Sequence, residues 1–259
     1  MANSYQDNLK VQRDYYAKTA ADYDRWHVDP ASAQIVSAWN IENLKKFLNN
    51  KKINNCLDLG CGTGRLLADL EKIGEKVYGV DASPEILAVA GQKFPQVEFA
   101  AAEATALPYP DNFFDLVVVN GALHHFFALD ETCREVNRIL KPAGVFAILG
   151  EPNQGYNKKN IFWYFFILTM ALRKIFGRQR AGGAEIEPDA ETFKPEQIRL
   201  VLDKNNFDLV EFYSYDYLPR LEGKFFLKYY ARLLDWESKT LAKAFPLRGS
   251  ALQAFARKH

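Results

Sequence analysis

The stretch "LDLGCGTGRLL", residues Leu57–Leu67, decides how the chain folds. It begins inside "INNCLDLG" (53–60), a short apolar run ending in glycine, which predicts a buried strand. It runs into "RLLADLEKIG" (65–74), which predicts a helix closed by Gly74. Gly60, Gly62 and Gly64 therefore occupy a strand-to-helix turn. Glycine there admits positive φ and lets a ligand approach the backbone, while the first N–H groups of a helix are free to meet acceptor atoms.

The same rhythm continues downstream. "KVYGVDAS" (76–83) predicts a second strand and "SPEILAVAGQKF" (83–94) a helix, with Ser83 as N-cap and Pro84 in its first turn. "VEFAAAEA" (97–104) and "FDLVVVNGAL" (114–123) predict strands three and four. A helix is expected over "LDETCREVNRILKPAG" (129–144), then a fifth strand over "VFAILGEP" (145–152). Continuous apolar strands alternating with helices imply a parallel sheet covered on both faces, and right-handed crossovers make it doubly wound. After Pro152 the rhythm breaks, and "KPEQIRLVLDKNNF" (194–207), "FDLVEFYSYDYL" (207–218) and "SALQAFARK" (250–258) resume it as helix, strand and last strand. The chain thus divides into an N-terminal helical cover, 1–52, and an α/β domain, 53–259, carrying helical insertions at about 153–192 and 222–246.

In a doubly wound sheet the glycine turn lies at the carboxyl edge, where ligands bind. Asp81 ends the second strand, at the distance where an acid grips ribose hydroxyls. A dinucleotide fingerprint G-x-G-x-x-G would need its third glycine at position 65, which is Arg65. The spacing here is G-x-G-x-G, which argues against a nicotinamide cofactor.

At this point the chain resembles a known family. "LDLGCGTGRLL", "VYGVDASPEIL", "AAEATALPYPDNFFDLVVVNGALHHF" and "LKPAGVFAILGEPN" look like the successive motifs of class I S-adenosylmethionine-dependent methyltransferases, nearest to the small-molecule enzymes of ubiquinone and menaquinone biosynthesis. The resemblance covers about 12–152 and implies a seven-stranded Rossmann-like sheet whose last strand is antiparallel and inserted beside the preceding one. It also implies S-adenosyl-L-methionine as cofactor. Gly60, Cys61, Gly62 and Gly64 would line its methionine and ribose portions, Asp81 would hold the ribose hydroxyls, and Ala82 would pack on adenine. Glu103, with Ala104 beside it, stands where the family often has Asp facing the adenine amino group. Asn120 and Ala122 would lie near the sulfonium. "YAKTAADYD" (16–24) resembles the family's helical cover, so Tyr16 and Tyr23 are expected to close over the cofactor.

Methyl transfer from a sulfonium requires neither metal nor covalent intermediate, only a nucleophile held in line in a dry site. An oxygen or carbon acceptor can need a proton removed, and "LHHFF" places His124 and His125 just after strand four. Histidine suits general-base work, and adjacent residues leaving a strand point apart, so at most one of the two is expected to face substrate. His27 is a weaker candidate. Cys61 fits as a small side chain in the loop, and Asp115 as an anchor for the start of strand four.

Composition bounds the rest. A net charge of +1 over 259 residues, with no basic stripe, argues against a nucleic-acid partner. Cys56, Cys61 and Cys133 form no Cys-x-x-Cys pair, and "MANSYQDNLK" has no signal-peptide pattern; a reduced cytoplasmic setting is expected. "IFWYFFILTMALRKIF" (161–176) would extend about 24 Å as a helix, short of a hydrocarbon core of roughly 30 Å. With the basic residues up to Arg180, it suits a hydrophobic cover for the acceptor site and a peripheral membrane contact through 161–180. The expected reaction is methylation of a small, hydrophobic or lipid-linked acceptor, at oxygen first, with carbon and nitrogen open. The competing expectation is a cofactor-binding partner protein without catalysis.

Overall fold

The computed structural model describes residues 5–20, 23, 31–50, 53–154, 192–217 and 224–259. The apolar and basic segment 161–180 and His27 lie outside the described residues, as does most of the first insertion.

Two helices, α1 (Tyr5–Thr19) and α2 (Ala31–Phe47), precede the sheet. The elements that follow are β1 (Ile53–Leu59), α3 (Leu67–Leu70), β2 (Gly74–Asp81), α4 (Pro84–Lys93), β3 (Glu98–Ala101), β4 (Phe114–Asn120), α5 (Leu129–Ile139) and β5 (Leu140–Pro152). After the gap in description come α6 (Pro195–Lys204), β6 (Phe207–Tyr215), α7 (Lys224–Lys239), α8 (Leu241–Ala244) and β7 (Ala251–Lys258). The seven strands run in the order β3-β2-β1-β4-β5-β7-β6. The first five are mutually parallel, and β7 enters antiparallel between β5 and β6.

The continuous apolar strands are continuous because both faces are covered. On β4, Val117 and Val119 face Cys133, Val136 and Ile139 of α5, while Leu116 and Val118 face Ile41 and Leu44 of α2 and Leu67 and Leu70 of α3; all are fully or almost fully buried. A third cluster sets Tyr230 and Leu234 of α7 against Trp39 of α2 and Tyr215 of β6, so the described part of the second insertion packs beside the sheet. Asp115 anchors the start of β4 as expected, accepting from Asn55 N–H and from Lys141 Nζ, both at 2.8 Å.

Two local expectations are corrected. Gly74 does not close a helix over 65–74; it opens β2 opposite Ile53, and a Cβ there would stand 3.0 Å from the Cys56 Cβ. Drawing Gly74 into the ladder forces the chain out of the helix after Leu70. The helix expected to reach 144 stops at Ile139, and Leu140 is already extended and paired with Phe114. Pro142 explains this, since it disfavours helical geometry at Lys141 and has no N–H to donate. Among the described residues, no helix is long and apolar enough to cross a membrane.

Candidate active site

The carboxyl ends of β1, β2, β4 and β5 and the inner sides of α1 and α2 enclose a cavity of about 450 Å³, within the range of small-molecule sites. Its floor is the glycine turn. Gly60 N–H and Cys61 N–H both donate to the Val80 carbonyl, at 2.8 and 3.0 Å, which pulls the turn against β2. Gly60 has φ +75° and sits so tightly that a Cβ would lie 2.8 Å from the Ala122 Cβ. Gly62 is the opposite case: a Cβ there would meet nothing within 4 Å, so its backbone is open to an occupant.

Gly62 N–H donates to Asp81 Oδ2 and Ser83 N–H to Asp81 Oδ1, each at 3.0 Å. Two short backbone bonds hold this carboxylate at the end of β2 with lone pairs left to accept from a ligand. Burial pushes the Asp81 carboxyl up from its ordinary range, and the N–H groups of Ser83, Gly62 and Ala82 pull it partly back. Asp58, one turn of the pleat inside β1, is almost fully buried and lines the same cavity. Burial, with the Asp81 charge behind it, pushes its carboxyl up to about 7. No described residue donates a hydrogen bond to it. A cation in the cavity would relieve that strain directly.

Glu103 lies just past β3 and accepts from Arg13 at 3.2 Å, which ties α1 across the opening. Tyr16, one turn further along α1, places its hydroxyl 3.4 Å from His125 Nε2 and its ring 5.8 Å from that of Tyr23. Beneath α2, Asn40 donates to the Tyr215 hydroxyl at 2.9 Å, and both residues line the cavity.

On the far side, β4 ends at Asn120, and a single 3₁₀ turn follows over Leu123–His125. Glu151, fully buried near the end of β5, organises that turn. Its carboxylate accepts from the N–H groups of Ala122 and Leu123 at 3.0 and 2.9 Å and of His124 at 3.2 Å, and lies 2.9 Å from His124 Nδ1. The two imidazole rings are 4.1 Å apart, so both histidines reach the cavity.

Thirteen of the fourteen residues expected at the site line this one cavity: Tyr16, Tyr23, Gly60, Cys61, Gly62, Asp81, Ala82, Glu103, Ala104, Asn120, Ala122, His124 and His125. Gly64 does not. A Cβ on it would press 2.9 Å from the Phe94 ring and 3.0 Å from Leu67, and its φ is +86°, so it serves the turn and the packing of the following helix. Sequence reasoning passed over Asp58, Arg13, Asn40 and Glu151. Asp58 and Glu151 had a signal, a lone acid in each of the apolar runs "CLDL" and "ILGEP"; Arg13 and Asn40 had none, because only the fold brings α1 and α2 over the sheet edge.

Comparison with known proteins agrees with this geometry. Residues 57–148 match the family model described as a methyltransferase domain. A demethylmenaquinone methyltransferase of Chlorobaculum tepidum is 29% identical over 189 residues, covering 70% of this chain and 78% of that one. A ubiquinone/menaquinone biosynthesis C-methyltransferase of Pseudoalteromonas translucida is 27% identical over 206 residues, covering 73% and 81%. Among solved structures, the Burkholderia thailandensis 1,6-didemethyltoxoflavin-N1-methyltransferase, with bound 1,6-didemethyltoxoflavin and S-adenosylhomocysteine, superposes with a TM-score of 0.62 at 20% identity. That match covers 100% of this chain and 92% of the other.

Proposed function

We propose that this chain, a class I S-adenosylmethionine-dependent methyltransferase resembling the quinone-biosynthesis enzymes, methylates a small apolar or lipid-linked acceptor at oxygen. The observation that carries the proposal is the division of one cavity between a fixed carboxylate over a glycine turn and a histidine turn. The bound cofactor supplies a methyl group activated by sulfonium charge. The residues do the rest. Asp81 accepts the ribose hydroxyls, Gly60, Cys61 and Gly62 line the methionine and ribose portions, and Ala82, Glu103 and Ala104 surround the adenine. Asp58, to which no described residue donates, suits the positive end of the cofactor, and binding there would restore its ionised state. Tyr16 and Tyr23 close the opening and exclude water, while Asn120 and Ala122 shape the wall beside the reacting carbon. His124 or His125 takes the acceptor proton.

The reading is tested by mass spectrometry of methyl transfer to a panel holding a prenylated naphthohydroquinone, a prenylated phenol, a sterol and a polar catechol. Transfer to an apolar member supports it; cofactor binding with no transfer to any member favours a binding protein without catalysis. A second reading, transfer to ring carbon, is favoured by the relative whose name specifies C-methylation, and nuclear magnetic resonance of the product separates the two. Residues 161–180 extend the proposal: their apolar then basic composition suits a cover over the acceptor that also meets membrane. Flotation of the wild type with anionic liposomes, lost when Phe162, Phe165 and Phe166 are made polar, is the expected result, and a wild type that never floats removes the membrane contact.

A further inference from the structure

Behind the cavity wall, α7 and α8 present a face to solvent. Tyr230 and Leu234 of α7 pack with Val36, Trp39, Tyr215 and Ala251. Val36, Tyr215 and Ala251 also line the cavity, so the other side of α7 lies one helix away from it. Helical spacing gathers that side into one stripe. Tyr229, Arg232 and Trp236 stand at i, i+3 and i+7, with Lys228 and Lys239 next to Arg232 around the helix, and all five are exposed. Among the described residues six large apolar side chains are exposed, and three of them, Tyr229, Trp236 and Phe245, belong to α7 and the end of α8.

The charge of this face is one-sided. From 228 to 248 the exposed ionic side chains are Lys228, Arg232, Lys239, Lys243 and Arg248. Of the two acids in that stretch, Asp235 is partly buried and accepts from Lys239 Nζ at 2.6 Å. Glu237 is buried and accepts from the Tyr217 N–H at 3.0 Å. The whole chain carries only +1, so positive charge is concentrated here. Exposed Tyr and Trp among Lys and Arg suit the surface of an anionic bilayer. Rings with polar tips settle at headgroup level, and basic side chains meet the phosphates. An apolar protein face would accept the rings but bury the charges without a counter-ion. The sixteen residues of α7 extend about 24 Å, which fits a helix lying on a bilayer better than one crossing it.

We propose that the α7–α8 face docks the protein on an anionic lipid bilayer, beside the wall of the cavity that receives the acceptor. The proposal rests on the reading that the acceptor is lipid-linked, since docking then lets it pass from the membrane to the site without crossing bulk water. It is a second contact, separate from the one proposed through 161–180. Two weak contacts together hold a protein at a membrane from which either alone would exchange.

The test is flotation of the full chain with vesicles of phosphatidylcholine and phosphatidylglycerol, and with vesicles of phosphatidylcholine alone. The wild type should bind the anionic vesicles and not the neutral ones. The triple variant Lys228→Glu, Arg232→Glu, Lys239→Glu should lower that partitioning about 100-fold or more. Its melting temperature, and its turnover of a naphthohydroquinone lacking the prenyl chain, should stay at the wild-type level. A triple variant that binds like the wild type overturns the proposal, and so does a wild type that binds heparin but neither vesicle. Should the triple variant fail to fold, quenching of tryptophan emission by anionic vesicles containing lipid brominated on its acyl chains still decides. Quenching smaller in Trp236→Phe than in the wild type supports docking through this face, and equal quenching overturns it. Transfer to a detergent-dissolved prenylated acceptor by a chain that binds no vesicle removes the docking and leaves the functional reading. Charge-dependent docking by a chain that methylates no member of the panel does the opposite.

Discussion

Along the β1–β2 edge of the cavity backbone N–H groups meet one carboxylate: Gly62 N–H, 19 residues before Asp81, and Ser83 N–H, just after it. Along the β4–β5 edge side chains of separate elements meet. His124 lies on Glu151, 27 residues on, and His125 faces Tyr16 across 109 residues and a different layer of the fold. The half proposed for the cofactor is thus centred on a glycine turn and one carboxylate, with Arg13 and Glu103 joined across its opening. The half proposed for the acceptor is built from side chains on three elements. A local motif can recur with little change on many folds, whereas an assembled half can be rebuilt for each acceptor. That contrast fits the relatives, whose names share methyl transfer and differ in the acceptor they give.

If the halves are separable, substitutions should damage one function and spare the other. The largest effect is expected from His124→Ala or His125→Ala: the one that removes the base should lower turnover by about 10² to 10⁴ while cofactor affinity, measured by calorimetry, stays within about twofold, and two fully active variants would end the general-base idea. Asp81→Ala should do the reverse. Two hydrogen bonds to a charged group amount to roughly 3–6 kcal/mol, so affinity for S-adenosylhomocysteine should fall by 10² or more; an unchanged affinity would remove the ribose assignment.

Asp58 tests the charge balance of the cofactor half. Its folded carboxyl, at about 7, lies above the unfolded value near 3.9, so the folded state holds an extra proton between the two. The associated stability is present below about pH 4 and is lost as pH rises to about 7, by at most about 4 kcal/mol. Asp58→Asn should flatten that decline in denaturant unfolding measured across the range, and saturating S-adenosylhomocysteine should weaken it in the wild type. A wild type whose stability rises steadily from pH 4 to 7 would contradict the buried, unpaired state.

The smallest of the four effects belongs to Gly64→Ala. Positive φ and the Phe94 ring should together cost about 1–3 kcal/mol, seen as a lower melting temperature, with cofactor affinity little changed once the chain is folded. Loss of binding in a folded Gly64→Ala chain would return this residue to the cavity wall.

The same contrast explains what the residues revealed before the structure. The order of β1 to β5, the Ser83 cap and the G-x-G-x-G turn are carried by short-range patterns of apolar period, turn chemistry and capping, and these were legible. The end of α5 before Pro142 was legible in principle, because Pro142 disfavours helix at the residue before it. Gly74 was not: a glycine that closes a helix and one that lets two strands approach look alike until the partner, Cys56, is known. Glu151 showed only as a lone acid in an apolar run, with nothing to say what it binds. Its partners come from the end of a neighbouring strand, and only the parallel register of β4 and β5 brings them together.

A crystal structure with S-adenosylhomocysteine and a naphthohydroquinone tests the division most directly. The account predicts both ribose hydroxyls on Asp81, the sulfur facing the turn after β4, and the acceptor hydroxyl within hydrogen-bond reach of His124 or His125. A nucleoside seated away from Asp81, or an acceptor hydroxyl on the far side of the cavity from both histidines, would contradict it.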